Sequence, residues 1–164
     1  MKNTEKYDFA GWATKCDIVC SDNRVIKKGA FKHQNGQQVP LCWNHDHKNP
    51  DNVLGHALLE DREEGVYAYC SFNNNEKGNK CRELVEHGDI TSLSIYANQL
   101  KQNGNDVIHG NIREVSLVLA GANMGAHIET VIAHSDEHDE ESVIYHQEDD
   151  AFEFYHSEEE NKEG

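Results

Sequence analysis

A serine, a histidine and a carboxylate within hydrogen-bond reach of one another make a nucleophile. The imidazole takes the hydroxyl proton, and the acid orients the ring and stabilises its cation. Three residues of this chain have the types and the settings for that chemistry. His45 follows the apolar stretch Val39-Pro-Leu-Cys-Trp43 and so stands at a strand end, Ser94 is enclosed by Leu93 and Ile95, and Glu114 lies between Arg113 and Val115. Taken singly, each has a plainer reading: a solvated loop histidine, a hydrogen-bonded strand serine, a solvated strand-face carboxylate. Spacing does not select among these readings, because such a triad is defined by geometry and not by order.

The same stretch permits a different chemistry. Cys42, His45, Asp46, His47 and His56 are all metal-ligand types, and Cys42 with His45-x-His47 could hold zinc. Against this, the spacing matches no common zinc finger, and no second Cys-x-x-Cys or His-x-x-x-His accompanies it. A thiol nucleophile is disfavoured because Cys42 and Cys70 lack a clear basic partner. With Cys81 they read as buried small apolar groups.

Strands are needed to position these residues. Tyr7–Thr14, Val39–Trp43, Val53–Glu60, Val66–Phe72, Ile90–Leu100, Asn111–Ala120 and His127–Ala133 all read as strands, by alternation and by their β-branched and aromatic content. Within Ile90–Leu100, Ser92, Ser94 and Tyr96 share one face, so Ser92 is the nearest rival of Ser94. In the next strand Val115, Leu117 and Leu119 alternate with Glu114, Ser116 and Val118, and Ser116 reads as a strand hydrogen-bonding residue. Val39, Leu41 and Trp43 share a face, and continuing that period aims His45 the same way. Arg24–Phe31 reads as a short helix or turn, Asn73–Asn79 as a flexible loop, and Lys80–Gly88 as a helix with Cys81, Leu84 and Val85 inward and Gly88 as its stop. The expected fold is α+β and mainly β, a mostly antiparallel, barrel-like sheet flanked by a few helices.

Composition divides the chain. Of the formal charge of −15, residues 135–164 carry thirteen Asp/Glu against one Lys, and the remainder is close to neutral. The expectation is a domain over 1–133 and an acidic, disordered tail over 134–164. The tail repeats a loose pattern, His134-Ser-Asp-Glu, His146-Gln-Glu-Asp and His156-Ser-Glu-Glu, with apolar islands at 143–145 and 152–155, a pattern of segments that dock on partners. A net-acidic chain without a Lys/Arg cluster argues against direct nucleic-acid binding. No apolar run approaches membrane-spanning length, and no apolar h-region follows the N-terminal residues. Five cysteines, an odd number, suit a reducing, cytoplasmic setting with free thiols.

The order and wording of several segments resemble the prohead maturation proteases of tailed bacteriophages, serine proteases similar in fold to the herpesvirus assemblins. The resemblance runs over roughly residues 7–133. It is carried by Gly29-Ala-Phe31, by Val39-Pro-Leu-Cys-Trp-Asn-His-Asp46 leading to Val53-Leu-Gly55, by Gly88 with Leu93-Ser-Ile95, and by Arg113-Glu-Val-Ser-Leu-Val118 followed by Ala122-Asn123. It implies an assemblin-like fold, with His45 as the general base, Ser94 as the nucleophile and Glu114 as the third member. Related proteases use a second histidine in that third place, and His47, His56 and His109 are the local competitors. Tyr96 stands where the family usually has Gly, which could narrow the site or alter the local turn, and Gly121 where a Pro is common. The implied function is a serine endopeptidase of capsid maturation, needing no cofactor. It would act in the host bacterial cytoplasm inside the procapsid, on the major capsid protein, on scaffold segments and on itself, with room for self-association. An inactive, protease-like scaffold protein and the zinc module are the alternatives.

Overall fold

The alternating stretches form strands in the computed structural model, which describes residues 7–46, 48–119 and 123–132 and the backbone of a short strand at 142–144. In chain order these are β1 (Phe9–Lys15), β2 (Val25–Ile26), β3 (Gln38–Trp43), β4 (Val53–Arg62), β5 (Gly65–Phe72), α1 (Glu76–Glu86), β6 (Ser92–Asn103), β7 (Asp106–Val118), β8 (Ile128–Ile132) and β9 (Ser142–Ile144). One mixed sheet runs β2-β7-β3-β4-β5-β1-β8-β9, and β6 pairs with β7. Every pairing is antiparallel except β2–β7 and β3–β7. The mainly β, mostly antiparallel character therefore holds.

Two expectations are corrected. The sheet is not closed into a barrel. A lone bridge between Ser92 and His127 ties β6 to the start of β8, together with bonds from Leu93 N to Ala126 O at 3.1 Å and from Ile128 N to Thr91 O at 3.0 Å. No ladder continues from there, so the seam stays open. Instead of a few helices, the described residues hold one α-helix and two single 3-10 turns, Lys32–Gln34 and Pro50–Asn52. The helix also starts earlier than the apolar pattern predicts. Asn75 caps it by accepting from Gly78 N at 2.7 Å, so half of the expected 73–79 loop is its first turn. Gly88, at φ 77°, ends it as anticipated. Arg24–Phe31 contributes β2 and a turn rather than a helix. The expected boundary at 133 and most of the 134–164 tail lie outside the described residues; the backbone of β9 pairs with β8 at Thr130–Ile144.

The core fills one face of the sheet. Leu41 of β3, Leu54 and Leu59 of β4, Leu93 and Ile95 of β6, Val115 and Leu117 of β7 and Ile128 of β8 are buried together. Cys81 and Val85 of α1 join them, and Leu84 packs against them partly buried. The cysteines are all free thiols, and only Cys16 is not fully buried. On the opposite face of β1 and β5, Trp12 and Tyr67 pack edge to face at 4.8 Å, and both donate to Glu129, at 3.0 and 2.9 Å.

Gly55 shows how tightly β4 sits in this sheet. It pairs with Leu41 on one side and Phe72 on the other. A Cβ there would meet the Ser71 carbonyl and the Phe72 Cα. Both obstacles are backbone and neither can rotate away. Gly55→Ala is expected to destabilise the fold by about 1–3 kcal/mol, read as a lowered urea midpoint with an unchanged m-value.

Candidate active site

Three neighbouring strands carry the polar residues singled out in the sequence. β7 lies between β6 and the parallel β3. The register places Cys42 beside Ser116 and Ser116 beside Ser94. Residues directly opposite one another share a face, so Cys42, Ser116 and Ser94 form one row across three strands. Glu114, two residues before Ser116, lies on the same face and opposite Tyr96. This is the face turned away from the core residues Leu41, Val115 and Leu93.

His45 reaches that row by a turn and not by continuing β3. Strand alternation would have sent it to the core side with Trp43. Instead Asn44 and His45 both adopt left-handed backbone, at φ 53° and 59°, which reverses the direction of the side chain. Such conformations cost of order 1–3 kcal/mol for a non-glycine residue, though Asn tolerates them well. Three hydrogen bonds offset the cost: Asn44 N to Leu117 O at 2.9 Å, Asp46 N to Trp43 O at 3.0 Å, and His45 N to Ser116 Oγ at 2.9 Å. Ser116 is fully buried. Its strand hydrogen-bonding role is therefore specific: it holds the histidine's own amide.

From this turn the imidazole spans the other two residues. Nδ1 lies 2.9 Å from Glu114 Oε2, and Nε2 lies 3.0 Å from Ser94 Oγ. An ionised carboxylate can only accept, so Nδ1 carries the proton and Nε2 is left to accept from the Ser94 hydroxyl. Glu114 is only 2 % exposed and Ser94 3 %. A buried carboxylate is costly unless it is paired and hydrogen-bonded, and here the imidazole N–H meets it directly. Burial, then the neighbouring Glu114 carboxylate, push the Cys42 thiol far above its usual range.

Two of the competing candidates lie elsewhere. His56 sits in β4 between Pro40 and Ser71. His109 stacks on His33 at 4.6 Å. His47 is outside the described residues. Among the described residues no group of three or more His, Cys, Asp or Glu is placed to hold a metal, and His45 has Glu114 and Ser94 at its two ring nitrogens. Ser92 pairs with Val118, two residues along β6 from the row. Tyr96 stays in the β6 ladder opposite Glu114, with a register shift immediately after it, and lines a cleft of about 380 Å³ with Pro40, Cys42, Val53, Asn98, Arg113 and Glu114. The residue that sequence reasoning left unassigned in detail is Ser116. Its signal was a serine two positions after a candidate acid on the same strand face.

Neither the curated proteins nor the solved structures contain a match to this chain. A family comparison does, over residues 1–141, with the Caudovirus prohead serine protease family. With that match over most of its length, the chain belongs to the Caudovirus prohead serine protease family.

Proposed function

We propose that this protein is an active serine endopeptidase in which Ser94 is the nucleophile, His45 the general base and Glu114 the orienting acid. The observation that carries the reading is the continuous Ser94–His45–Glu114 hydrogen-bond chain, at 3.0 and 2.9 Å. Ser94 Oγ attacks a peptide carbonyl while His45 Nε2 takes its proton. Glu114 stabilises the imidazolium that forms, without itself becoming protonated. His45 then protonates the leaving amine. Water repeats the sequence on the acyl-enzyme and returns the proton to Ser94.

The substrates follow from family membership: capsid and scaffold proteins inside the procapsid, in the host cytoplasm. Confinement there raises the effective concentration of enzyme and substrate, so modest intrinsic affinity suffices. The acidic 134–164 segment fits a packaging handle removed by self-cleavage. Among the described residues no helix is long and apolar enough to cross a membrane.

Ser94→Ala should abolish cleavage of the cognate capsid protein while leaving the circular dichroism spectrum and thermal midpoint nearly unchanged. Normal cleavage by that variant would remove Ser94 from its role and favour a protease-like scaffold. Glu114→Gln should lower kcat by up to about 10⁴-fold, because an amide can favour the wrong imidazole tautomer.

A thiol nucleophile predicts something different. Burial, the leading cause, with Asp17 and Asp61 nearby, raises the Cys16 thiol to about 11. Cys20 is raised to about 12, chiefly by burial. The thiolate is the reactive form, so its fraction at pH 8 is small and climbs about tenfold per pH unit towards those values. Iodoacetamide at pH 8 should therefore leave proteolysis intact, and mass spectrometry of the native protein should show Cys16, the one cysteine that is not buried, alkylated ahead of the others, with a rate that rises about tenfold per pH unit up to about 11.

A further inference from the structure

The left-handed turn that carries His45 is held from a second side, by residues outside the Ser94–His45–Glu114 chain. Asp46, the residue after His45, accepts from Asn52 Nδ2 through its Oδ2 at 2.8 Å. Asn52 Oδ1 in turn accepts from Lys77 Nζ at 2.9 Å. Asn52 is only 5 % exposed, and its amide is used at both ends. Both residues are carried by hydrogen-bonded turns. Asn52 closes a 3-10 turn through its own N–H to Asn49 O at 2.9 Å. That turn is further fixed by Asn49 Oδ1, which accepts from Asp51 N at 2.9 Å. Lys77 stands in the first turn of α1, pinned by the Asn75 cap.

We infer that Asn52 is a positioning residue for the proposed proteolysis, linking α1 through Asp46 to the turn that presents His45. The inference rests on the role proposed above for His45. Two successive left-handed residues need restraint beyond the strand that precedes them. Ser116 supplies it from the β7 side, and the Lys77–Asn52–Asp46 chain supplies it from the helix side. Without the second restraint the turn retains its Ser116 bond but gains freedom at Asp46, and the imidazole loses its fixed aim at Ser94. Misplacement on the scale of 1 Å far from the chemistry can cost on the order of a hundredfold in rate.

The chain's polarity provides the test. Asn52→Asp removes the donor to Asp46 and sets two carboxylates against each other, while keeping an acceptor for Lys77. Adding Asp46→Asn restores the bond with its direction reversed. Full-length protein is compared in three forms: unaltered, Asn52→Asp, and the pair Asp46→Asn with Asn52→Asp. Two readouts apply: amide hydrogen exchange over residues 44–46, and the rate at which a fluorophosphonate probe labels Ser94. Asn52→Asp should speed exchange at these amides about tenfold relative to those of β4 and β5 and slow labelling roughly ten- to hundredfold, and the double variant should recover both to within about threefold. Unchanged exchange in Asn52→Asp, or failure of the double variant to recover it, overturns the inference. Should Asn52→Asp fail to fold, Lys77→Met, on an exposed side chain, should still speed exchange at 44–46 about threefold; no change there overturns the inference equally. If the unaltered protein is not labelled at Ser94, the proposed triad fails, while the exchange measurement still decides whether Asn52 holds the turn.

Discussion

The parallel pairing of β3 with β7 is the constraint on which the site depends. Three ladder positions, Leu41–Val115, Cys42–Ser116 and Trp43–Leu117, set the height at which β3 ends relative to Glu114. Because side chains alternate with a period of two, a slip of one residue would send Glu114 and Ser116 to the core face and Val115 and Leu117 to the cleft. Burying Leu41, Val115 and Leu117 with Leu93 and Ile95 therefore fixes the polar row as firmly as the apolar one. The register of the site is enforced by hydrophobic burial on the other side of the same strands.

The histidine needs a separate device, since it belongs to no ladder. A β-strand that simply continued would place it with Trp43. The two left-handed residues swing it across, and the bonds to Leu117 O and Ser116 Oγ hold the swing. Ser116 thereby links strand register to side-chain aim: the residue that aligns β7 with β3 and β6 also receives the amide of His45.

Much of this was legible from sequence, for reasons that can be named. The strands were readable because apolar alternation is a direct consequence of burial on one face, and Leu93-Ser-Ile95 and Arg113-Glu-Val-Ser-Leu-Val118 have that pattern with polar residues at alternate positions. The proposed triad members were not selected by spacing, since 49 and 69 residues separate His45 from Ser94 and Glu114 and only pairing brings them together. Resemblance to a family supplied what periodicity could not. The aim of His45 was misread because period-two reasoning assumes extended backbone, and Asn44 abandons it. The early start of α1 was missed because Asn75, Glu76 and Lys77 look like loop until Asn75 is recognised as a cap. Sheet closure was overestimated because it depends on long-range geometry between β6 and β8, which share only a bridge.

Tyr96 joins these threads. A glycine at its place would leave the ground opposite Glu114 bare. Here the aromatic ring stands across the ladder from Glu114 and walls the cleft beside it. A carboxylate shielded from water interacts more strongly with a neighbouring imidazolium than a solvated one does, because the local dielectric is lower. The same shielding raises the cost of leaving that carboxylate without a cation or donor. Tyr at this position therefore makes the site more dependent on the aim of His45, and so on the Ser116 bond and on the Asn52 chain that keeps the turn in place.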